Sequence, residues 1–286
     1  MNKTFSVIGG DLRQLTLARL LEKDGLSVKI FGFDKEIEAE GLERAETVYE
    51  AAQSDIIILP LPVTQDGKNL NAPFVAEDIE LDELFDKIKA GTIVFGGKVS
   101  PETADKCKIP IYDYFIREEL SILNAVPTAE GAIETALAET AHTLFKSKCL
   151  IIGYGRIGKI LAHRLQALGV LVSVSARKCE DFAWINAFGY NCMDSRDLNG
   201  KISDYDIIIN TVPSVILNGE LLKQIPKSTL VIDLASKPGG VDFNLAKELG
   251  LKVIWALSLP GKTAPITSGE IIKDTIINIL KEMEAI

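Results

Sequence analysis

Histidine is nearly absent from this sequence: there are two in 286 residues, His142 and His163. Both fall in stretches with helical patterning, away from the Gly- and Pro-rich segments after strands where substrates are usually met. Imidazole catalysis is therefore a poor expectation. The four cysteines, at positions 107, 149, 179 and 192, form no C-x-x-C pair and no metal-ligand spacing. They read as reduced thiols, with neither a disulfide framework nor a metal expected. No apolar run is long enough to span a bilayer, so no membrane association is expected. The chain opens on a strand pattern rather than a secretion signal, which suggests a cytoplasmic setting. A basic excess is also missing, since 31 Lys and Arg stand against 40 Asp and Glu for a net charge of −9. That balance argues against a nucleic-acid partner, and it means an anionic ligand must be drawn in by local cations. Low-complexity segments are absent, and with 47% hydrophobic residues the chain can build two domains or one large one.

What is present is organised around residues 147–178. The apolar run Cys149-Leu150-Ile151-Ile152 leads into Gly153-Tyr154-Gly155-Arg156-Ile157-Gly158. A helical pattern follows, with Ile157, Ile160, Leu161, Leu165 and Leu168 on one face, and Gly169 closes it. A second β-rich run is Leu171-Val172-Ser173-Val174-Ser175. Strand, glycine turn, helix, strand is the context a dinucleotide fingerprint requires. Gly153 permits the tight turn, Gly155 lets the backbone approach a pyrophosphate, and Gly158 lets the helix pack on the strand. The helix N-terminus offers its N–H groups and dipole to the phosphates. The second strand ends in Ser175-Ala176-Arg177-Lys178, and the first carboxylate after it is Glu180. An acid at that point would accept the ribose 2′-hydroxyl of NAD. Two cations and a hydroxyl instead suit a 2′-phosphate, so the expected cofactor is NADP(H).

The first half starts as another βαβ unit, Thr4–Ile8, then Gly9-Gly10-Asp11-Leu12-Arg13-Gln14, a helix to about Asp24, and the strand Ser27–Phe31. Its turn lacks the third glycine, and Asp11 would repel a phosphate, so this half is expected to resemble a Rossmann unit without holding the dinucleotide. Arg13 and Gln14 could meet an acid group of the substrate; equally, Asp11 could cap the helix beside an exposed Arg13. Further strands are read at Asp55–Pro60, Thr92–Phe95 and Ile109–Tyr112, with an irregular loop over Leu61–Pro73. Strands alternating with helices indicate a parallel sheet, flavodoxin-like in its simplest form. Residues 113–127 read as a bridge, followed by an Ala-rich connector helix from Thr128 to about Phe145. The second sheet continues with Asp206-Ile207-Ile208-Ile209, which echoes Asp55-Ile56-Ile57-Ile58, and with strands at 230–234 and 251–255. A closing amphipathic helix from about Ser268 is expected to return to the first domain. The fold expected is α/β with two Rossmann-like or flavodoxin-like parallel-sheet domains. Residues 1–126 plus 268–286 form the substrate domain, and residues 127–267 form the NADP-binding one.

Ligands of open α/β sheets bind beyond the carboxyl ends of the strands. In the second half those ends carry Asn210–Ser214, Asp233–Gly240 and Leu259–Pro265. Thr211, Val212, Pro213, Asp233, Ser236, Pro260 and Gly261 are the cofactor candidates there, alongside Gly153 to Gly158 and Ser175 to Lys178. A reaction that needs hydride transfer but little proton transfer suits a chain with no histidine at these loops. Oxidation of a dihydro ring to an aromatic one is such a reaction.

Several segments together resemble the dipicolinate synthase A-subunit family of endospore-forming bacteria. They are Val7-Ile8-Gly9-Gly10-Asp11-x-Arg13-Gln14, Asn124 to Gly131 (NAVPTAEG), Ile209 to Leu217 (INTVPSVIL), Asp233 to Gly240 (DLASKPGG) and Leu259-Pro260-Gly261-x-x-Ala264-Pro265. The resemblance spans nearly the whole chain. It implies a two-domain fold similar to the formate/glycerate-type dehydrogenases, and oxidation of dihydrodipicolinate to dipicolinate with a nicotinamide cofactor. It also implies partnership with a flavoprotein-like B-subunit of the synthase and a site of action in the mother cell; a homo-oligomer is expected too. Lys237 departs from an arginine in the related pattern, and lysine cannot form a bidentate fork with a carboxylate. The implied substrate has two carboxylates. Arg117, then Arg13 and Lys98, are the cations expected to meet them, with Asn124 and Thr128 completing the pocket by hydrogen bonds. Glu118, Glu119 or Glu130 could take the ring proton. Two other readings stay open: a different dehydrogenase of a small amino or hydroxy acid, and a cofactor-binding scaffold or sensor inactive alone.

Overall fold

The computed structural model describes residues 3–35 and 37–286. The chain divides into two compact units, Met1–Asn124 with Ala264–Ile286, and Ala125–Thr263. In the first unit the elements are β1 (Thr4–Ile8), α1 (Leu12–Lys23), β2 (Ser27–Phe31), β3 (Glu43–Arg44), α2 (Val48–Ala51), β4 (Ile56–Ile58), α3 (Leu81–Lys87), β5 (Ile93–Gly96), α4 (Pro101–Lys106) and β6 (Ile111–Asp113). Helix α5 (Glu118–Glu139) leads from the first unit into the second. There follow β7 (Lys148–Ile152), α6 (Arg156–Ala167), β8 (Leu171–Ala176), α7 (Cys179–Ala187), β9 (Asn191–Asp194), β10 (Ile207–Asn210), α8 (Gly219–Leu222), β11 (Leu230–Asp233), α9 (Phe243–Glu248), β12 (Lys252–Trp255) and α10 (Leu259–Thr263). Helix α11 (Pro265–Glu282) belongs again to the first unit.

Each unit holds a six-stranded parallel sheet. The orders are β3-β2-β1-β4-β5-β6 and β12-β11-β10-β7-β8-β9. Read from its own first strand, each is the 3-2-1-4-5-6 order of a Rossmann sheet, so the flavodoxin order is realised in neither. Both faces of such a sheet are covered, and the central strands therefore read as unbroken apolar runs. Ile56, Ile57 and Ile58 of β4 and Ile207, Ile208 and Ile209 of β10 are all buried. The aspartate before each triplet has a shared task. Asp55 accepts the backbone N–H of Thr4 (2.9 Å), and Asp206 accepts that of Lys148 (2.8 Å). Each carboxylate thus closes the open end of the first strand of its own sheet, which accounts for the internal echo.

The core of the first unit gathers Phe5, Val7, Leu17, Leu21, Ile30 and Phe95 with Ile271, Ile272, Ile276 and Leu280 of α11. That of the second packs Leu161, Ala162 and Leu165 of α6 and the Ala129-Ala132-Ala136 stripe of α5 against Ile151, Val174 and Ile209. The segment read as a bridge differs from expectation. Residues 114–116 form a 3-10 turn and α5 starts at Glu118, ten residues before Thr128. Pro127 sits inside this 22-residue helix rather than at its start. A proline removes one i→i−4 bond, here to the carbonyl of Leu123. The helix ends at Glu139, short of Phe145. Two strands escaped the sequence reading, the two-residue β3 and the edge strand β9; their residues are mostly polar or half-exposed and leave no apolar run. Leu259–Thr263 is helical rather than a loop, and α11 begins with Pro265 at its first turn.

Candidate active site

The two βαβ turns look alike in sequence and differ at the helix N-terminus. In the first unit Asp11 is the N-cap of α1. It accepts from the Arg13 N–H, closes a capping box with Gln14, and pairs with the Arg13 guanidinium at 2.8 Å. Arg13 also donates to the Leu61 carbonyl (2.8 Å) and is buried, not exposed. A carboxylate thus fills the place where a phosphate would sit. In the second unit the N-cap of α6 is Gly155, and no side chain caps the helix. Nothing lies within 4 Å of the place a Cβ of Gly155 would take. Gly153 has φ +102°, and a Cβ on it would meet Thr211 Oγ1 at 2.4 Å. A Cβ on Gly158 would lie 2.2 Å from the Gly153 carbonyl oxygen. Each fingerprint glycine has its physical reason here, and the cradle fits a pyrophosphate.

The fold gathers the other cofactor candidates at the same sheet edge, because β10 and β8 flank β7 on either side. Thr211 donates through Oγ1 to the Ile152 carbonyl (3.0 Å), which lays residues 211–213 against the glycine turn; Pro213 is exposed. On the opposite side β8 ends with Ser175 and Ala176 buried, Ser175 taking a hydrogen bond from Ser195 (3.0 Å). Arg177 and Lys178 are exposed, and Lys178 pairs with Glu180 (3.2 Å). Arg196 was not anticipated. It follows β9, whose Asp194 lies beside Ala176 in the sheet, and it pairs with Asp194 at 2.6 Å. That hydrogen bond draws the Asp194 pKa down to about 2. Only the β8–β9 pairing reveals this group.

The side chains of four candidates are engaged within the second unit itself. The Tyr154 ring is buried, edge-on to Tyr190 with the Lys159 ammonium over it, and burial pushes its hydroxyl up to about 12. Only its backbone faces the glycine turn. Ile157 packs into the core of the unit. Asp233 is fully buried and spends its carboxylate on neighbouring N–H groups. Pro260 is buried in α10, with Gly261 half-buried beside it. Ser236 is exposed at the tip of the loop after β11, and Arg156 is exposed on the first turn of α6.

The substrate candidates scatter. Arg117 forms a bidentate pair with Glu282 of α11 (2.6 and 2.7 Å) and a further bond to Glu119 (2.8 Å). These bonds raise the Arg117 pKa and hold both carboxyls below the usual range. Glu130 pairs with Arg164 of α6 at 3.1 Å. Glu118 is exposed, Asn124 half-buried and Thr128 buried, all on α5. Lys98 lies at the carboxyl end of β5 with φ +56°. Its conformation is held by Asp113, which accepts the N–H groups of Lys98 (3.0 Å) and Val99 (2.9 Å). A lysine in the left-handed region is strained, and such strain persists where the surroundings impose it. Both histidines are exposed, His163 on the outer side of α6. It borders two apolar grooves of about 770 and 590 Å³ along α5, α6 and α7. Among the described residues no group of three His, Cys, Asp or Glu could hold a metal, and no helix is long and apolar enough to cross a membrane.

Comparison with known proteins agrees with this architecture. Residues 4–115 match the dipicolinate synthase A-subunit N-terminal domain family, and residues 124–254 match the D-isomer specific 2-hydroxyacid dehydrogenase NAD binding domain. The chain is 34% identical over 292 residues to the dipicolinate synthase A-subunit of Bacillus subtilis (strain 168), covering 98% of this chain and 96% of that one. The crystal structure of the dipicolinate synthase A chain from Bacillus subtilis superposes with a TM-score of 0.88 at 34% identity, over 100% of this chain and 98% of the other. That of the A-subunit from Bacillus halodurans gives 0.89 at 31% identity, over 98% of each chain.

Proposed function

The chain belongs to the dipicolinate synthase A-subunit family of NAD(P)-dependent oxidoreductases, and on that premise we propose that it oxidises dihydrodipicolinate to dipicolinate with NADP⁺. The substrate loses a hydride and a proton, and the ring becomes aromatic. When bound, the nicotinamide supplies the acceptor for the hydride.

The observation that carries the reading is the contrast between the two helix N-termini. Asp11 and Arg13 close the one at α1, whereas Gly155 leaves the one at α6 uncapped. This supports a single dinucleotide, held by the second unit. Gly153, Gly155 and Gly158 admit the pyrophosphate. Arg177, exposed beyond β8, meets the 2′-phosphate with Lys178 and Arg196 nearby. Thr211 to Pro213 and the loop after β11 line the nicotinamide side. Neither histidine lies at these strand ends, and aromatisation asks for little acid–base work beyond release of one proton. In the first unit Lys98 is the preferred cation for a substrate carboxylate, because Arg13 and Arg117 are already engaged by carboxylates of the protein. Partnership with a flavoprotein-like B-subunit of the synthase, a homo-oligomeric state and action in the mother cell of a sporulating bacterium complete the proposal.

The test generates dihydrodipicolinate in situ with NADP⁺ and follows dipicolinate by chromatography, with and without the B-subunit. Product from the chain alone supports catalysis here. Product only with the B-subunit makes this chain one part of the active assembly. Tight NADPH binding without product in either case points to a scaffold or sensor. Arg177→Asp should weaken NADPH relative to NADH by about 1.5–3 kcal/mol, the worth of a charge-assisted contact. An unchanged preference would refute the assignment of the 2′-phosphate.

A further inference from the structure

Helix α5 carries two adjoining apolar stripes. Ala129, Ala132 and Ala136 turn into the core of the second unit. Beside them Val126 and Ile133 stay half-buried and Leu137 is exposed. A helix apolar so far around its circumference is one that something covers. Across from this stripe α6 presents Ile160 and Leu168, and α7 adds Trp184 and Phe188, stacked with centroids 5.7 Å apart and each more than half exposed. The two grooves of about 770 and 590 Å³ run between these helices and meet at His163 and Arg164. Contiguous exposed apolar faces of this kind mark places where another surface sits.

The charges around the grooves say which surface it is. The acids Glu130 and Glu134 lie on α5, and the bases Lys159, His163 and Arg164 lie on α6. Glu130 and Arg164 pair within the chain at 3.1 Å, yet the Arg164 Nε is buried without a hydrogen-bond partner. Glu134 and Lys159 take part in no ion pair among the described residues. A two-fold contact sets residue i of one copy on residue j of the other, and j on i. A face of one sign repels its own copy in such a contact. A face with acids on one helix and bases on the next matches its own copy when α5 of each lies on α6 of the other.

The same face backs onto the cofactor turn. From Trp184 and Phe188 the rings continue to Tyr190 (6.1 Å from Phe188) and on to Tyr154 (6.5 Å from Tyr190), and the Lys159 ammonium lies 5.5 Å over the Tyr154 ring. Tyr154 stands between Gly153 and Gly155. Its ring lines the groove while its backbone is part of the glycine turn. Whatever closes the groove therefore fixes one residue of the pyrophosphate cradle.

We propose that a second copy of the chain seats on this face, and that its contact with the ring row from Trp184 to Tyr154 couples dimerisation to cofactor binding. The inference rests on the function proposed above, which gives the second unit the dinucleotide and the chain a homo-oligomeric state. A Tyr154 ring held by the partner copy leaves less of the turn for the pyrophosphate to order, so each binding event favours the other.

Sedimentation equilibrium of the full-length chain, with and without NADPH, tests this together with a fluorescence titration of NADPH. Wild type should be dimeric, and saturating NADPH should tighten the dimer about fivefold or more. Glu134→Lys and Lys159→Glu each set like charges across the two-fold axis, so each variant should be monomeric with unchanged far-ultraviolet circular dichroism. Mixed one to one, the two variants should pair, because each altered side chain then meets its opposite. The Glu134→Lys monomer should bind NADPH about fivefold or more weakly than the wild-type dimer, as linkage requires. Variants that stay dimeric, or that fail to pair on mixing, would overturn the assignment of this face. Equal NADPH affinity in monomer and dimer would overturn the coupling. A wild-type chain monomeric at every concentration would refute the homo-oligomeric state and this inference with it, whereas a dimer that binds no NADPH would refute the cofactor assignment and, with it, the coupling.

Discussion

Gly155 and Gly158 are three residues apart and are glycine for opposite reasons. The space beside Gly155 is open, whereas a Cβ on Gly158 would run into the backbone carbonyl of Gly153. Gly155→Ala should therefore leave the thermal midpoint of the ligand-free chain nearly unchanged and abolish measurable NADPH binding. Gly158→Ala should lower stability by about 1–3 kcal/mol, because the helix must shift off the strand. Thermal melts and cofactor titrations of the two variants separate these effects. Asp55 offers a pH test. The Thr4 N–H, with the Lys89 ammonium and the Thr4 hydroxyl, lowers its pKa from 3.8 to about 2. A depressed folded-state pKa contributes stability that is present above the unfolded value and lost as pH falls through the folded one. Wild type should accordingly lose stability between about pH 4 and pH 2 through this group. Asp55→Asn should be less stable at pH 7 and show a shallower acid slope in urea titrations at stepped pH. An unchanged slope would remove Asp55 from the account.

At the scale of elements, α1 and α11 form one packed layer in the first unit. Gly269 of α11 approaches so closely that a Cβ would lie 2.5 Å from the Arg13 carbonyl oxygen. Ile276, in the middle of that layer, is fully buried. Ile276→Ala should cost about 2–5 kcal/mol, as large-to-small core changes do, read as a lowered urea midpoint. The same scale explains the elements that could be read in advance. The triplets of β4 and β10 and the apolar stripe of α6 have patterns that only a buried strand or a one-sided helix satisfies. Helix α5 was misread because Pro127 and the acidic Glu118-Glu119 look like boundary signals. A proline within a helix depends on what its freed carbonyl can find, and that is not local information. Arg117 shows the same limit. Its pairing with Glu282 joins positions far apart in the chain, whereas the partner expected from the sequence was a carboxylate of the substrate that the resemblance implies.

At the scale of the molecule, the two units differ in connectivity. The second, Ala125–Thr263, is one continuous stretch; the first needs Ala264–Ile286 to return. Helix α11 gives the first unit Ile271, Ile272, Ile276, Ile279 and Leu280, each buried. At about 1.5–3 kcal/mol per buried side chain, their loss rivals the roughly 5–15 kcal/mol that holds a domain folded. A chain stopped after Thr263 should lose the folded first unit, seen as rapid proteolysis of residues 1–124, and still bind NADPH through the second. Loss of NADPH binding as well would show that the second unit depends on the first.

Hydrophobic period and glycine spacing were enough to establish two parallel α/β sheets and the glycine turn that leads into a helix in the second half. These follow from local sterics and from burial on both faces of a strand, which every short window of the chain carries. The partners of the charged groups were settled only by the tertiary structure. Folding turned Asp11 onto the α1 N-terminus and Arg13 onto Asp11, committed Arg117 to Glu282, and buried Asp233. A carboxylate or guanidinium bonds whatever lies within about 3 Å once the chain is folded, and those neighbours come from anywhere in the sequence.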